Sequence, residues 1–331
     1  MIFTRNTTGF VMVMTMFVLC LSLSTTQAPG QESDYVLRGS MGNLSQLPIT
    51  PFRGRTTANV FGEWANLDRN SGQPDQSPLE KGFKTGVWGG GIGRDRLFGR
   101  NILCGVGINA LTMDIKPNDS QLDGKLTSLS GNAHVSLFGE LWFVDFGLGF
   151  GRNHCENEYH HSSAVYRNKY SGTQWNYNAD CGIRFRQGFT RIEPFLGLHA
   201  SSLDEPSNAN YFPISNSFYQ ADSNVFQSCR MLLGSRFSWE FQTKLATVSP
   251  MMYVTWLHEL GDSALFTTSE LMPFPVVYRF GNSSMPRDRL LLSAGITSAL
   301  RDTVDLLFYY NSTFAKDFSG HTVFGGVNIK F

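Results

Sequence analysis

Two adjacent histidines, with acidic residues just before them, are the first candidates for chemistry in this chain. In "NHCENEYHHSS", His160 and His161 follow Glu156 and Glu158, so groups that could serve as general acid and base lie close together. One class of protease that works with aspartates and a histidine carries Asp–Asp and Asp–His pairs at strand ends, and these pairs do not appear here. A histidine pair in a polar segment is more often solvated. We therefore expect no enzyme.

The glycine run and the cysteines also give no sign of a cofactor. The run "WGGGIG" at 88–93 lacks the Lys-Ser/Thr pair of a phosphate-binding loop, and glycines inside a strand indicate curvature. The spacing of Cys104, Cys155, Cys181 and Cys229 matches no zinc pattern. Cysteine also serves as a small apolar strand residue, so we expect neither a disulfide framework nor a bound cofactor.

Charged residues alternate with apolar ones, and this alternation identifies the elements that position them. In "LWFVDFGLGFG", Trp142, Val144 and Phe146 share one face, and Asp145 shares the other with glycines. This period of two recurs along the chain and predicts strands. The face opposite the apolar one carries the candidates for lining an enclosed interior: Asp145, Asp180, Arg184, Arg186, Glu193, Arg230, Arg236, Glu240, Glu259 and Arg289. Such charges either pair with one another or line a hydrated conduit, and both interpretations stay open.

The lengths of the strands and of their links predict an all-β fold, a 12-stranded antiparallel transmembrane barrel. Period-two segments reach about the 9–11 residues that a tilted membrane strand needs. Links after odd strands are long and polar, including "STFAKDFSGH" and outer loops at 154–172, 202–223 and 261–286, whereas links after even strands are short. This alternation is typical of an outer-membrane barrel and disfavours a soluble β-sandwich. The predicted strands lie near 58–68, 82–95, 101–114, 124–138, 141–153, 173–186, 190–201, 224–240, 248–260, 287–299, 302–311 and 321–331.

Composition agrees with a membrane barrel. Lys+Arg and Asp+Glu are both 27, which does not favour nucleic acid as a partner. Charged residues make up 16%, below the usual fraction of about 25%. The six tryptophans fall inside predicted strands, as an interfacial girdle would require. His258 is in phase with Val254 and Trp256. A lipid-facing phospholipase would place a histidine there, but a position in the interface band is the simpler interpretation.

The N-terminus predicts export. Residues 1–28 combine Arg5, an apolar core and a small-residue end, the pattern of a signal peptide. The apolar run is short for a spanning helix of about 20 residues, and Leu19 is too bulky to precede a lipidated Cys20. Residues 29–57 form a short N-terminal extension, whose glycines and prolines disfavour a long pore helix, and 58–331 form the barrel domain.

The last third of the chain resembles the autotransporter β-domains, the translocator barrels of type V secretion. The resemblance lies in "MMYVTWLHELGD" at 251–262, the later "LLSAGITSAL" and "DLLFYYNSTF", and the early "GVWGGGIGRDRLFGRNILCGVGIN". It covers about 58–331. Trp256, His258, Glu259 and the final Phe331 are its most specific residues.

The resemblance implies a function and partners. It implies Sec export to the bacterial outer membrane, folding there by the barrel assembly machinery with periplasmic chaperones, and contact with outer-membrane lipid. Gly326, Val327, Ile329 and Phe331 resemble the C-terminal assembly signal of such barrels. It further implies that the barrel anchors or conducts polypeptide. A passenger is not evident among residues 29–57, so the alternative is a passenger-less surface-interaction barrel or small pore displaying long outer loops.

Overall fold

A computed structural model gives the structure of part of the chain. It describes residues 37–39, 42–47, 54–68, 82–117, 122–161, 164–205, 208–212, 217–221, 224–261, 265–267, 277–279, 286–300 and 303–331. The predicted signal peptide and most of the predicted extension lie outside these ranges. No helix among the described residues is long and apolar enough to cross a membrane.

Twelve long strands form one antiparallel sheet, and the first begins at Gly54 rather than at the predicted residue 58. The strands are β1 (Gly54–Asp68), β2 (Gly82–Phe98), β3 (Ile102–Pro117), β4 (Leu122–Phe138), β5 (Trp142–His161), β6 (Ala164–Ile183, continued by Phe185–Gln187), β7 (Thr190–Glu205), β8 (Asn224–Trp239, continued by Phe241–Gln242), β9 (Ala246–Glu259), β10 (Asp288–Leu300), β11 (Val304–Ala315) and β12 (Phe318–Lys330).

The sheet closes on itself because its last strand pairs with its first. β12 lies antiparallel to β1, with register from Leu67 opposite Phe318 to Arg55 opposite Lys330. Beyond that register, Gly54 N donates to Phe331 O at 3.1 Å and Phe331 N donates to Gly54 O at 3.0 Å. Closure satisfies the backbone groups that an open edge would expose. The predicted 12-stranded antiparallel barrel is confirmed.

The alternation of side chains separates an apolar outer wall from a packed interior. On β9, Thr255 and Leu257 are fully buried, whereas Trp256 between them is 38% exposed. An apolar cluster fills part of the interior and includes Phe61, Phe143, Phe195, Tyr253 and Tyr309. The interior is therefore occupied by the barrel's own side chains.

Tight turns gather at one end of the barrel, together with Gly54 and Phe331. At the other end, two predicted long loops are wrong. In place of the loop at 154–172, β5 and β6 continue as paired strands as far as His161 opposite Ala164. In place of the long link at 312–321, β11 and β12 are joined by a turn at Lys316–Asp317. Polar composition indicated loops at both places because strands beyond the membrane face water on their outer side.

The other two predicted outer loops contain short paired strands. Strand β7 continues to Glu205, and Asn208–Phe212 then pairs with Ser217–Ala221. In the third loop, Leu265–Thr267 pairs with Val277–Arg279. These segments are extended and hydrogen-bonded where the sequence suggested only irregular chain.

Candidate functional site

A row of polar residues crosses the inner face of the barrel from one end to the other. In register, Arg55 on β1 stands opposite Asp95 on β2, and the row continues through His134 on β4, His199 on β7, Arg230 on β8 and Glu259 on β9. Asp95 lies near the tight-turn end of β2, and Glu259 is the last residue of β9, so the row runs diagonally. Strand tilt produces this path. We call Arg55, Asp95, His134, His199, Arg230 and Glu259 the charged row.

At the long-loop end of this row, Glu259 is 3% exposed and holds several groups together. It accepts hydrogen bonds from Ser228 Oγ at 2.7 Å and from the backbone N–H groups of Cys229 and Gly261, each at 3.0 Å. The guanidinium groups of Arg230 and Arg289 lie 3.8 and 3.9 Å from its carboxylate. The Glu259 carboxylate therefore compensates the charge of two buried arginines. Its hydrogen bond from Gly261 also holds the backbone in place where the chain leaves β9.

Two aspartates lie opposite each other near the tight-turn end of their strands. Asp145 on β5 and Asp180 on β6 form a register pair, and both are buried. His199 Nε2 lies 3.1 Å from Asp180 Oδ1. The imidazole of His199 is therefore a direct partner of the Asp180 carboxylate. His199 escaped the sequence analysis, although it is in phase with Glu193.

At the tight-turn end, one buried ion pair lies on each side of the closure, between β1 and β2 and between β11 and β12. Arg55 Nε lies 2.7 Å from Asp95 Oδ2, and Lys330 Nζ lies 2.6 Å from Asp305 Oδ1. None of these four residues was a sequence candidate. The alternation of inward and outward residues along each strand could have identified them. That alternation is hard to assign at the ends of strands.

The predicted interior residues fall into two groups. Asp145, Asp180, Arg184, Glu193, Arg230, Arg236, Glu259 and Arg289 are buried. Arg186 and Glu240 lie at the tight-turn end with side chains 42% and 30% exposed, and their charged atoms are 3.9 Å apart. Arg184 Nε is 2.7 Å from Glu193 Oε1. The buried group lies inside a packed barrel rather than along a wide conduit. Within it, ion pairs are formed by Arg184, Glu193, Arg230, Glu259 and Arg289.

Arg236 differs from the other buried arginines in its surroundings. Its guanidinium carbon lies 4.6 Å from the ring centre of Phe195, 5.3 Å from that of Phe143 and 5.8 Å from that of Tyr253. No hydrogen-bond partner for its three guanidinium nitrogens occurs among the described residues. Cation–π attraction is therefore its main compensation.

The histidine candidates do not form a catalytic arrangement. The side chains of His160 and His161 lie outside the described part of the structure. His258 faces outward at the end of β9, and its Nδ1 is 2.8 Å from Asp288 Oδ1. Trp256 Nε1 donates to the same carboxylate oxygen at 3.1 Å. Among the described residues, no group of three or more His, Cys, Asp and Glu side chains could hold a metal ion.

The four residues of the predicted assembly signal lie at the closure. Val327, Ile329 and Phe331 are exposed on the outer wall, and Gly326 faces inward between β11 and β1. The Phe331 ring lies against Gly54 and 5.0 Å below the Arg94 guanidinium.

Comparisons with known proteins agree with this architecture. The family model described as the autotransporter β-domain matches residues 57–311. The translocator domain of autotransporter NalP from Neisseria meningitidis has 15% identity and a TM-score of 0.67, over 84% of this chain and 89% of that one. The β-domain of the Bordetella autotransporter BrkA has 17% identity and a TM-score of 0.64, over 84% of this chain and 100% of that one.

A third autotransporter structure is also similar to this chain. The transport unit of the autotransporter AIDA-I from Escherichia coli has 13% identity and a TM-score of 0.53, over 96% of each chain. No curated protein matches the sequence. With the family model matching most of the chain, this protein belongs to the autotransporter β-domain family and is an outer-membrane β-barrel of the autotransporter type.

Proposed function

We propose that this barrel anchors a polypeptide in the outer membrane and carries the segment before β1 across it, without catalysing a reaction. Export through a Sec signal at 1–28, escort by periplasmic chaperones and insertion by the barrel assembly machinery are parts of the same proposal. Family membership supports it. The observation that carries it is the closed barrel itself, whose first strand begins at Gly54 on the tight-turn, periplasmic side.

The packed interior supports an anchor, rather than an open channel, as the resting state of the barrel. Tyr253, Tyr309 and Leu67 are almost wholly buried, and Arg236 lies among three aromatic rings. An extended polypeptide needs these side chains to move before it can pass. Transport and conductance are therefore expected to be separate events in this protein.

An epitope placed before β1 tests the transport part. With a short tag inserted after residue 40 of the full chain, antibody should label intact cells, and external protease should remove the label. The same tag inserted between Arg100 and Asn101, in the β2–β3 turn, provides the periplasmic control. A correctly inserted barrel whose first tag is reached only after permeabilisation would contradict transport.

The conductance of the refolded protein tests the resting state. In a planar bilayer we expect little current, because the inward side chains pack against one another. A steady, large current from the unmodified barrel would show that the interior is open and would favour the pore.

A second candidate function, surface interaction, is favoured by the strands that extend beyond the membrane. β5 and β6 are 20 residues each, about twice what a membrane strand needs. Their outer part, above Phe150 and Trp175, carries the ion pairs Lys169–Glu156 at 2.6 Å and Arg167–Glu158 at 2.7 Å. The hydrogen bond from Lys169 is the main cause that lowers the pKa of the Glu156 carboxyl. This pairing therefore persists at neutral pH and weakens as the pH falls through the lowered pKa.

Shortening this hairpin tests the second candidate. Replacing residues 156–169 by a two-residue turn should leave membrane insertion intact and abolish adhesion of cells to host or bacterial surfaces, if adhesion is the function. Unchanged adhesion with the shortened hairpin would rule this surface out.

A further inference from the structure

Two arginines lie on the outer wall of the barrel near its tight-turn end. Arg94 and Arg96 are exposed on β2, in phase with the outward residues Ile92 and Phe98. Asp95, between them, faces the interior. A cation on the lipid-facing wall costs free energy unless it reaches the headgroup region or an anion. Closure and packing of the barrel give no reason to place two cations at these positions.

Both side chains lean toward the membrane surface at the tight-turn end. The guanidinium carbon of Arg94 lies 5.0 Å from the ring centre of Phe331, and that of Arg96 lies 5.3 Å from the ring centre of Phe98. Each ring belongs to an outward residue one position nearer that end than the arginine over it. Long cationic side chains bring their charge to the interface in this way, while their stems stay on apolar surface. Cation–π contact with the ring leaves the guanidinium N–H groups free to donate.

No carboxylate compensates these cations within the described part of the chain. Asp95 is held in the interior by Arg55 at 2.7 Å. Arg100 adds a third exposed cation in the turn after β2, and Glu140, in the turn after β4, forms no ion pair with any of the three arginines. The outward neighbours on the adjacent strands are uncharged: Gly54 and Thr56 on β1, and Cys104 and Val106 on β3. We call Arg94, Arg96 and Arg100 the basic patch.

The position and the charge of the basic patch together indicate its ligand. Guanidinium groups donate paired hydrogen bonds to phosphate, and the phosphates of lipids lie at the interface to which these side chains lean. Next to the patch, on the side toward the membrane centre, Ile92 and Val106 are 51% and 60% exposed and offer contact to acyl chains. A soluble phosphate would leave this apolar surface uncovered. A zwitterionic lipid brings a cation of its own, whereas a lipid with net negative charge neutralises the patch.

We propose that the basic patch binds the phosphate of an anionic phospholipid in the leaflet at the tight-turn end of the barrel. The site lies beside the closure, because Arg94 covers the ring of Phe331 on β12. The proposal goes beyond the proposed function, since it needs only a barrel that lies in a membrane and not the transport of a polypeptide.

Lipid binding to the refolded full-length protein in nonionic detergent micelles tests the site. The probes are phosphatidylglycerol and phosphatidylcholine with identical acyl chains, together with inorganic phosphate, and native mass spectrometry measures the fraction of barrel that carries each. We expect phosphatidylglycerol to bind at least about fivefold more tightly than phosphatidylcholine, because its charge is not offset within the headgroup. Equal affinity for the two lipids would overturn the proposal. Inorganic phosphate that binds as tightly as phosphatidylglycerol would overturn the assignment to a lipid.

Variants assign the binding to the basic patch. Arg94→Gln and Arg96→Gln should each weaken phosphatidylglycerol binding about fivefold, and the double variant about thirtyfold. Lys84→Gln is the matched control, because it removes one outward cation from the opposite end of the same strand, and it should change nothing. Replacing both arginines by lysine keeps the charge and should retain part of the binding, so this variant remains informative if the double glutamine variant fails to fold.

The gel shift on heating checks that each variant forms the compact barrel. Unchanged affinity in a folded double glutamine variant, or an equal loss with Lys84→Gln, would show that the basic patch is not the lipid site. Because the measurement involves no membrane crossing, a failed epitope export leaves its result unaffected.

Discussion

At the scale of single residues, Glu259 is the acidic group whose loss should be felt most. It compensates two buried arginines and accepts three hydrogen bonds where the chain leaves β9. Removing one partner of a buried charge network leaves the others uncompensated in a medium where water cannot replace it.

Glu259→Ala should therefore lower the free energy of unfolding by about 3–5 kcal/mol. The temperature at which the compact barrel converts to its unfolded form on an unheated gel, together with urea unfolding in micelles, measures the change. Glu140→Gln, at an exposed position in the β4–β5 turn, is the control and should shift stability by less than about 0.5 kcal/mol. Equal stability of the two variants would show that the Glu259 network is dispensable.

Phe331 is the second residue whose contacts predict a phenotype. Its backbone pairs with Gly54, and its ring packs against Gly54 beneath Arg94. Deleting Phe331 should reduce insertion into the outer membrane severalfold, because the closure loses its last hydrogen-bonded pair and the proposed assembly signal loses its aromatic end. Phe331→Tyr keeps both and should insert well. The fraction of heat-modifiable protein in outer-membrane preparations is the measurement, and normal insertion of the deletion variant would count against the role.

At the scale of elements, the glycine run of β2 allows the interior to pack. A Cβ on Gly89 would meet the Phe61 ring, the Cβ of Leu111 at 2.7 Å and the carbonyl oxygen of Ala110 at 2.8 Å. Gly86 on the same strand has nothing within 4 Å of such an atom. The curvature predicted for this run is thus accompanied by a close approach of neighbouring strands at Gly89.

Gly89→Ala should destabilise the barrel by about 1–3 kcal/mol, because the backbone contact cannot move aside as a flexible side chain would. Gly86→Ala is the matched control and should be neutral. Both are measured by the conversion temperature of the compact form. If the two substitutions prove equally harmless, the strands around Gly89 can separate more easily than the packing indicates.

The extended β5–β6 hairpin predicts which face of the membrane each end occupies. An epitope inserted in the 162–163 link should be labelled by antibody on intact cells, since the hairpin extends beyond Phe150 and Trp175 at the outer end. The same epitope inserted in the β8–β9 turn at Lys244 should be labelled only after permeabilisation. The opposite labelling pattern would show that the barrel has the reverse orientation in the membrane.

At the scale of the whole molecule, the sequence predicted the strand number and closure because period two, strand length and alternating links persist along the chain. It predicted that Arg230 and Glu259 face the interior, but it could not predict that they form one charged row with the other four residues. Arg55, Asp95 and His134 are far apart in sequence and meet only through the register of three strand pairs, which depends on how the barrel tilts as it closes. The β5–β6 extension was missed for another reason: paired strands in water carry the same polar residues as loops.

The mutual hydrogen bonds between Gly54 and Phe331 make the barrel a ring with no structurally distinct first strand. A circular permutant that joins Phe331 to Gly54 by a short linker and opens the chain at Gly188–Phe189 can form the same strand pairs and has both new ends at the tight-turn end. We expect it to refold in micelles with the native gel shift, because the permuted chain can make the same contacts. In cells we expect it to insert poorly, because Phe331 would then be internal and no longer terminal. Efficient insertion would show that the assembly machinery recognises β12 even when it is not at the end of the chain. The permutant therefore distinguishes recognition of a terminal Phe331 from recognition of the folded strand.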